Sequence, residues 1–354
     1  MEIKDAAQFL ESCTSHSQPV ILQGSDTKAF LGRKVDPNNS PAEILSINEH
    51  SGIIHYEPTE LVIQVRSGSK LADVTAVLEE NGQMFAFEPA NFNGQSTIGG
   101  MVAAGLSGSR RPYAGSVRDF VLGAEMLSAT GELINFGGQV MKNVAGYDVS
   151  RLLVGSLGCL GLITNVSFKV LPKPEQEMTL RLEMSRADAL LKMRELVNSP
   201  LVSATAHFDG QLMIRLSGKV KSVNDFSKRL GGDLIATESS CWDAIDGQSI
   251  FPSEQKLWKV STAPMSPLFL EEAYLIDWGG AQRWLLESER DIWAEVDKYS
   301  SATLMRDSAG GEYVHDGEEV FQPLSTLQKN LHISLKTKFD PAGILNAGRM
   351  YSWL

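Results

Sequence analysis

Hydrophobic and polar positions follow two different patterns that meet near residue 172. In the first part, apolar residues come in short runs broken by glycine. Leu61–Val65 alternates, with Leu61, Ile63 and Val65 on one face and Val62 and Gln64 on the other, which is the period of a half-buried strand. Ser69 then stands where a cap belongs, before a helix whose stripe is Leu71, Val74 and Leu78 and whose stop is Gly82. The run FVLGAEMLSATGELINF predicts two strands joined by a turn at Thr130 and Gly131. Gly158 and Gly161 precede a β-rich run closed by Pro172 and Pro174.

Beyond those prolines the pattern becomes strand, helix, strand, strand. TLRLEM is a strand, Ser185 with Asp188 caps a helix that stops before Pro200, HFDGQLMIRLSG holds another strand, and VNDFSKRL is helical. AYLIDWGGAQRWLLE predicts a hairpin turning at Gly279–Gly280, followed by a helix with Trp293 and Val296 and the strand ATLMR. Leu324, Leu327, Leu331 and Leu335 mark a last amphipathic helix before FDPAGILNAGRM. No internal repeat is present. The expected fold class is α+β, divided into a ligand-binding domain over 1–172, a smaller α+β cap over 173–322, and a tail over 323–354 that returns to the first domain.

Composition narrows the function. The 354 residues are 43% hydrophobic, enough to support more than one core without disulfides or metals. A formal net charge of −11 without a basic stripe excludes the usual nucleic-acid binders. Cys13, Cys159 and Cys241 stand far apart, so neither a disulfide framework nor a metal or iron–sulfur ligand set is expected, and the usage fits a reducing compartment. The first ten residues lack a signal-peptide plan, and the longest uncharged stretch, 152–168, is short for a membrane span and interrupted by glycines. A cytoplasmic protein with no direct membrane span is expected.

Two loops carry the chemistry of a phosphate cradle. LQGSDTKAF follows the apolar run PVILQ. There Gly24 permits a tight turn, Ser25, Asp26 and Thr27 offer hydroxyls and successive N–H groups, and Lys28 adds charge. In NGQSTIGGMVAAGLSGSRR, Thr97 precedes Gly99 and Gly100, and Ala103, Ala104 and Gly105 keep the backbone bare for a flat ligand. Neither loop is the Gly-x-Gly-x-x-Gly dinucleotide fingerprint or a Walker loop. Together they suit a ligand with a pyrophosphate at one end and an aromatic ring at the other, which is FAD.

The run from Ser96 to Pro172, with its VRDFVLG strand, KNVAGYD and GSLGCLGLIT elements, and the tail FDPAGILNAGRM resemble the FAD-linked oxidases of the vanillyl-alcohol oxidase and p-cresol methylhydroxylase (PCMH) type. The likeness is to the glycolate and D-lactate oxidase branch, and within it to shorter flavin subunits of glycolate oxidase complexes. It implies a two-subdomain FAD-binding domain with a cap. It further implies that Gly24, Ser25, Asp26, Thr27 and Lys28 hold the pyrophosphate, and that Thr97, Ile98, Gly99, Gly100, Ala103 and Gly105 line the ring system and ribityl chain. Gly155, Gly158, Gly161 and Ile163 would pass beside the adenosine and ribityl parts. Lys142, Asn143, Tyr147 and Asp148 would lie near the flavin without assigned roles. The implied activity is oxidation of glycolate to glyoxylate. The implied partners are a larger FAD-linked oxidase subunit and an iron–sulfur subunit, through which the chain would be peripheral to the inner membrane.

The departures count equally. The larger members of the branch carry His-x-Gly-x-Gly-Asn-x-His, whereas His16, His50, His55, His207, His315 and His332 are scattered here. The main hydroxy-acid site is therefore expected on the larger subunit, and no catalytic base is assigned in this chain. Ala347 stands where proline is usual. The first loop has no histidine or cysteine for covalent attachment, so the resemblance implies non-covalent FAD. The alternatives are a self-sufficient flavin dehydrogenase of another small hydroxy acid or alcohol and a non-redox assembly subunit. Arg110, Arg111 and Arg118 are candidates for a carboxylate or phosphate, or for solvent and subunit contacts. For Arg306, Tyr113, His207 and the tryptophans at 258, 278, 284 and 293, structural roles are expected.

Overall fold

The computed structural model describes residues 2–34, 42–138, 149–235, 238–287, 289–307 and 319–354. Near the N-terminus, helix Ile3–Ser15 buries Ala6, Leu10 and Cys13 at helical spacing. They pack with Val20 and Leu45, which lie on the parallel strand pair Val20–Gln23 and Glu43–Ser46. A five-stranded antiparallel sheet follows, in the order Ile53–Glu57, Val62–Arg66, Leu162–Lys169, Val121–Leu127, Leu133–Gly137. The last two strands form the hairpin turning at Thr130 and Gly131.

Two local expectations for this sheet need correction. Val62 is buried along with Ile63 and Val65, because its strand lies between two neighbours and is covered on both faces. Ser69 does not cap helix Leu71–Glu80. Lys70 occupies that position, and the Ser69 hydroxyl accepts from the Gly52 N–H at 2.8 Å, holding the preceding turn instead. The stripe Leu71, Val74 and Leu78 is buried.

The second sheet has eight antiparallel strands, among them Gln176–Glu183, Gln211–Gly218, Val202–Phe208, Leu275–Asp277, Gln282–Leu286, Leu257–Ser261 and Ser301–Arg306. Ser185 caps helix Arg186–Leu196 by accepting from the Asp188 N–H at 3.2 Å. This helix and Val220–Leu230 cover one face, through Leu212, Ile214, Leu216 and Val260. The opposite face, through Ala204, Ala206, Met213 and Trp284, packs on Leu31, Ala104, Leu106 and Leu157 of the first unit. A sheet buried on both faces reads as nearly continuous hydrophobic strands, as these do. Its hairpin turns through Gly279 and Gly280, both at positive φ, and a Cβ on Gly280 would lie 2.7 Å from the Pro264 carbonyl.

The tail returns to the first unit. Leu345 bridges Val20 in parallel, with Val20 N–H donating to the Ile344 carbonyl at 2.8 Å and Asn346 N–H to Val20 at 2.9 Å. Helix Thr326–Phe339 differs from its sequence pattern, since Leu327 and Leu331 are 72% and 55% exposed. Its buried side chain is Lys336, whose ammonium donates to the carbonyls of Cys159 and Leu345 at 2.9 and 2.5 Å and pairs with Asp340 at 2.7 Å. Periodicity specifies that an apolar stripe exists; the position of the tail decides which face the fold covers.

Candidate functional site

A cavity of about 350 Å³ opens between the two glycine loops, within the size range of small-molecule sites. One wall is the loop after Val20–Gln23, where Gly24, Ser25, Asp26, Thr27 and Lys28 all line the space. The N–H groups of Ser25, Thr27 and Lys28 donate to no carbonyl or side chain among the described residues, which leaves them for an anion. The Lys28 ammonium donates to Ser96 Oγ at 2.7 Å, and burial pushes its pKa down to about 8. Lys70 reinforces the loop by donating to Ser25 Oγ at 3.2 Å.

The facing wall is helix Ile98–Ala104, with Thr97 as its cap accepting from the Gly100 N–H at 3.3 Å. Thr97, Gly99, Gly100 and Ala103 line the cavity. A Cβ on Gly100 would meet nothing within 4 Å except Thr97 Oγ1 at 3.0 Å, so the backbone there is bare toward the space. Gly24 lies so close to Thr97 that a Cβ would be 2.6 Å from its hydroxyl. Gly158, Gly161 and Ile163 complete the floor.

Three anticipated residues lie elsewhere. Ile98 is fully buried in the hydrophobic core, because the first position of the helix turns inward. Gly105 and Gly155 line a second cavity, beyond the end of the same helix. Lys142, Asn143, Tyr147 and Asp148 fall outside the described residues. Sequence reasoning missed Asn346 and Arg349, which line the first cavity from the tail. The Arg349 guanidinium donates to the carbonyls of Ala29 and Leu31 at 2.8 and 3.1 Å. The only sequence signal for either was membership of the tail motif.

The second cavity, about 290 Å³, lies between the first unit and the eight-stranded sheet and shares Ala104 with the first. Arg111, Arg118 and Lys259 bring positive charge, and Asp277 and Gln282 face it from the hairpin. The Gln282 amide donates to both Asp277 carboxylate oxygens at 2.9 and 3.0 Å. Burial pushes the Asp277 carboxyl up to about 7 and the Lys259 ammonium down to about 8.

The remaining candidates are structural. Arg110 is buried against Glu88 at 3.0 Å and also pairs with Glu177, so it is not a ligand contact. Arg306 donates to the Gln255 and Pro252 carbonyls, where backbone partners take the place of an acid. His207 contacts the Met184 carbonyl at 3.0 Å, and the Tyr113 hydroxyl lies 3.1 Å from Thr205 Oγ1. No cluster of metal-ligating side chains is present among the described residues, nor any helix long and apolar enough to cross a membrane.

A bare-walled cavity with unpaired N–H donors and an ammonium at one end fits FAD, and residues 2–137 match the FAD binding domain family. Fold and cavity thus define an FAD-binding protein. The backbone is similar to that of alkyldihydroxyacetonephosphate synthase, with a TM-score of 0.63 at 16% identity over 96% of this chain and 73% of that one, a likeness of fold alone. Glycolate oxidase subunit GlcE of Escherichia coli (strain K12) is 43% identical over 96% of this chain and 95% of its own length. Glycolate oxidase subunit GlcD of Bacillus subtilis (strain 168) is 31% identical over 58% of this chain and 43% of its own. The chain belongs to the family of the glycolate oxidase subunit GlcE.

Proposed function

We propose that this chain is the FAD-carrying subunit of a glycolate oxidase complex that oxidises glycolate to glyoxylate. Its partners would be a larger flavin subunit holding the main hydroxy-acid site and an iron–sulfur subunit that passes electrons onward. Bound FAD supplies a hydride acceptor. In this reading the N–H groups of the Gly24–Lys28 loop and the Lys28 ammonium hold the pyrophosphate. Thr97, Gly99, Gly100 and Ala103 let the ring system lie against the backbone, and Gly158, Gly161 and Ile163 flank the rest. The observation that carries the proposal is the cavity joining these two loops, in a chain that aligns almost end to end with a glycolate oxidase subunit.

The domain division 1–172, 173–322 and 323–354 belongs to the same proposal, with the eight-stranded sheet as cap. Attachment is non-covalent, and location at a membrane comes through the partners. The purified chain is expected to be yellow and to release its flavin on heating. Glycolate is expected to bleach the flavin of the assembled complex much faster than that of the chain alone. A colourless protein overturns the cofactor assignment, and full-rate turnover by the isolated chain overturns the division of labour.

A further inference from the structure

We propose that Lys70 is a positioning residue for the phosphate end of the first cavity, fixing the Ser25 hydroxyl as a donor toward the ligand and tying the two glycine loops together. The proposal rests on the reading of that cavity as the FAD site. It adds a residue that lies outside both glycine-loop motifs.

The protons come first. A lysine ammonium has three protons to donate and no lone pair with which to accept. Those of Lys70 reach three acceptors: Ser25 Oγ at 3.2 Å, the Gln95 carbonyl at 3.3 Å and Gln95 Oε1 at 3.0 Å. Ser25 Oγ can therefore only accept from Lys70, and its own proton points away. That hydroxyl has no other hydrogen-bond partner among the described residues, and Ser25 lines the cavity. Its proton is left for an anion held there. An ammonium behind a hydroxyl polarises it and strengthens the hydrogen bond it gives.

Position supplies a second, independent observation. Ser25 belongs to the first glycine loop and Gln95 to the second, so one side chain spans both. Backbone bonds fix Lys70 where it can do so. Leu71 N–H donates to the Ser96 carbonyl at 2.8 Å, and Ile98 N–H to the Ser69 carbonyl at 3.0 Å. Lys70 itself bridges Thr97 in antiparallel register. Loops tied before the ligand arrives need less ordering when it binds. Lys70 pairs with no carboxylate among the described residues, so its charge stands uncompensated behind the anion site.

The test is binding of FAD and of inorganic pyrophosphate to the full-length chain after its flavin is removed, read by absorbance and calorimetry. Lys70→Met should weaken both ligands by roughly tenfold, and Ser25→Ala by a similar factor. Because the lysine acts through the hydroxyl, the double variant should bind little worse than Ser25→Ala alone. Lys70→Arg keeps the charge and several donors, and should recover most of the loss. A residue that only braced the fold would give losses that multiply in the double variant. The proposal is overturned by that result, by wild-type affinity in Lys70→Met, or by Lys70→Arg binding as weakly as Lys70→Met. Melting temperature shows whether each variant is folded. If Lys70→Met is not, the Ser25→Ala arm decides alone, and wild-type affinity there sinks the proposal. A chain that takes up FAD equally with and without Lys70 would remove this role and leave the FAD assignment standing. A wild-type chain that takes up no FAD but binds pyrophosphate through Lys70 would do the reverse, and binding of neither ligand overturns both.

Discussion

Asn346 joins the two ends of the chain at the first cavity: its Oδ1 accepts from the Leu22 N–H at 2.8 Å, and its Nδ2 donates to the Leu157 carbonyl at 2.7 Å. One tail residue thus sets the spacing between the strand before the first loop and the glycine segment opposite. Asn346 also sits at φ 43°, a left-handed conformation that asparagine tolerates better than most residues. Asn346→Ala removes both bonds and is expected to cost about 1–3 kcal/mol and to weaken FAD retention on the order of tenfold. Chemical denaturation and flavin titration check the two effects separately. Unchanged flavin affinity would mean that the tail does not shape the cavity.

Lys28 predicts how FAD affinity depends on pH. Burial holds its pKa near 8 in the absence of ligand, and a pyrophosphate beside it would favour the charged form and raise that value. Binding then takes up a proton above about pH 8, so affinity should be full below that point and fall as pH rises through it. Lys28→Met should bind FAD more weakly below pH 8 and lose this dependence. A variant with the wild-type pH profile would place the ammonium outside the phosphate site.

Asp277 makes a prediction about stability. Its carboxyl is raised from 3.8 to about 7 by burial, so between those values the folded chain binds more protons than the unfolded one. Stability contributed by the neutral carboxyl is present at low pH and is lost as pH rises across this window, by an amount on the order of a few kcal/mol. Asp277→Asn keeps an acceptor for Gln282 and removes the titration. The variant is expected to gain on the wild type as pH rises from about 4 to about 7. Parallel curves from pH-dependent denaturation would refute an ionisable carboxyl held neutral by the fold. Lys259, lowered to about 8, acts in the opposite sense above that pH, outside the window compared.

Glu88 carries the link between the first unit and the large sheet. It pairs with Arg110 at 3.0 Å and with Arg215 of the sheet at 2.6 Å, and both arginine side chains are 7% exposed. Glu88→Ala would leave two buried cations short of an acceptor, and a loss of about 3–5 kcal/mol is expected. Thermal melting should show it, together with faster proteolysis between the two units. Glu88→Asp, which keeps the charge on a shorter arm, should lose less.

The sequence by itself determined the local vocabulary of this protein. The glycine loops at 24 and 99–100, the hairpins at 130–131 and 279–280, and the strand–helix–strand–strand order after Pro174 were all legible, because turn chemistry and periodicity depend on neighbours along the chain. Only the tertiary structure decided which surfaces meet. It turned Ile98 into core, carried Gly105 and Gly155 to a second cavity, and brought Asn346 and Arg349 from the far end of the chain to the first. It also buried Lys336 while leaving Leu327 and Leu331 in water. Asp277, Gln282 and Lys259 read as ordinary strand residues until the large sheet closes over Ala104, because a cavity is made by chain segments distant in sequence and its chemistry has no period to announce it.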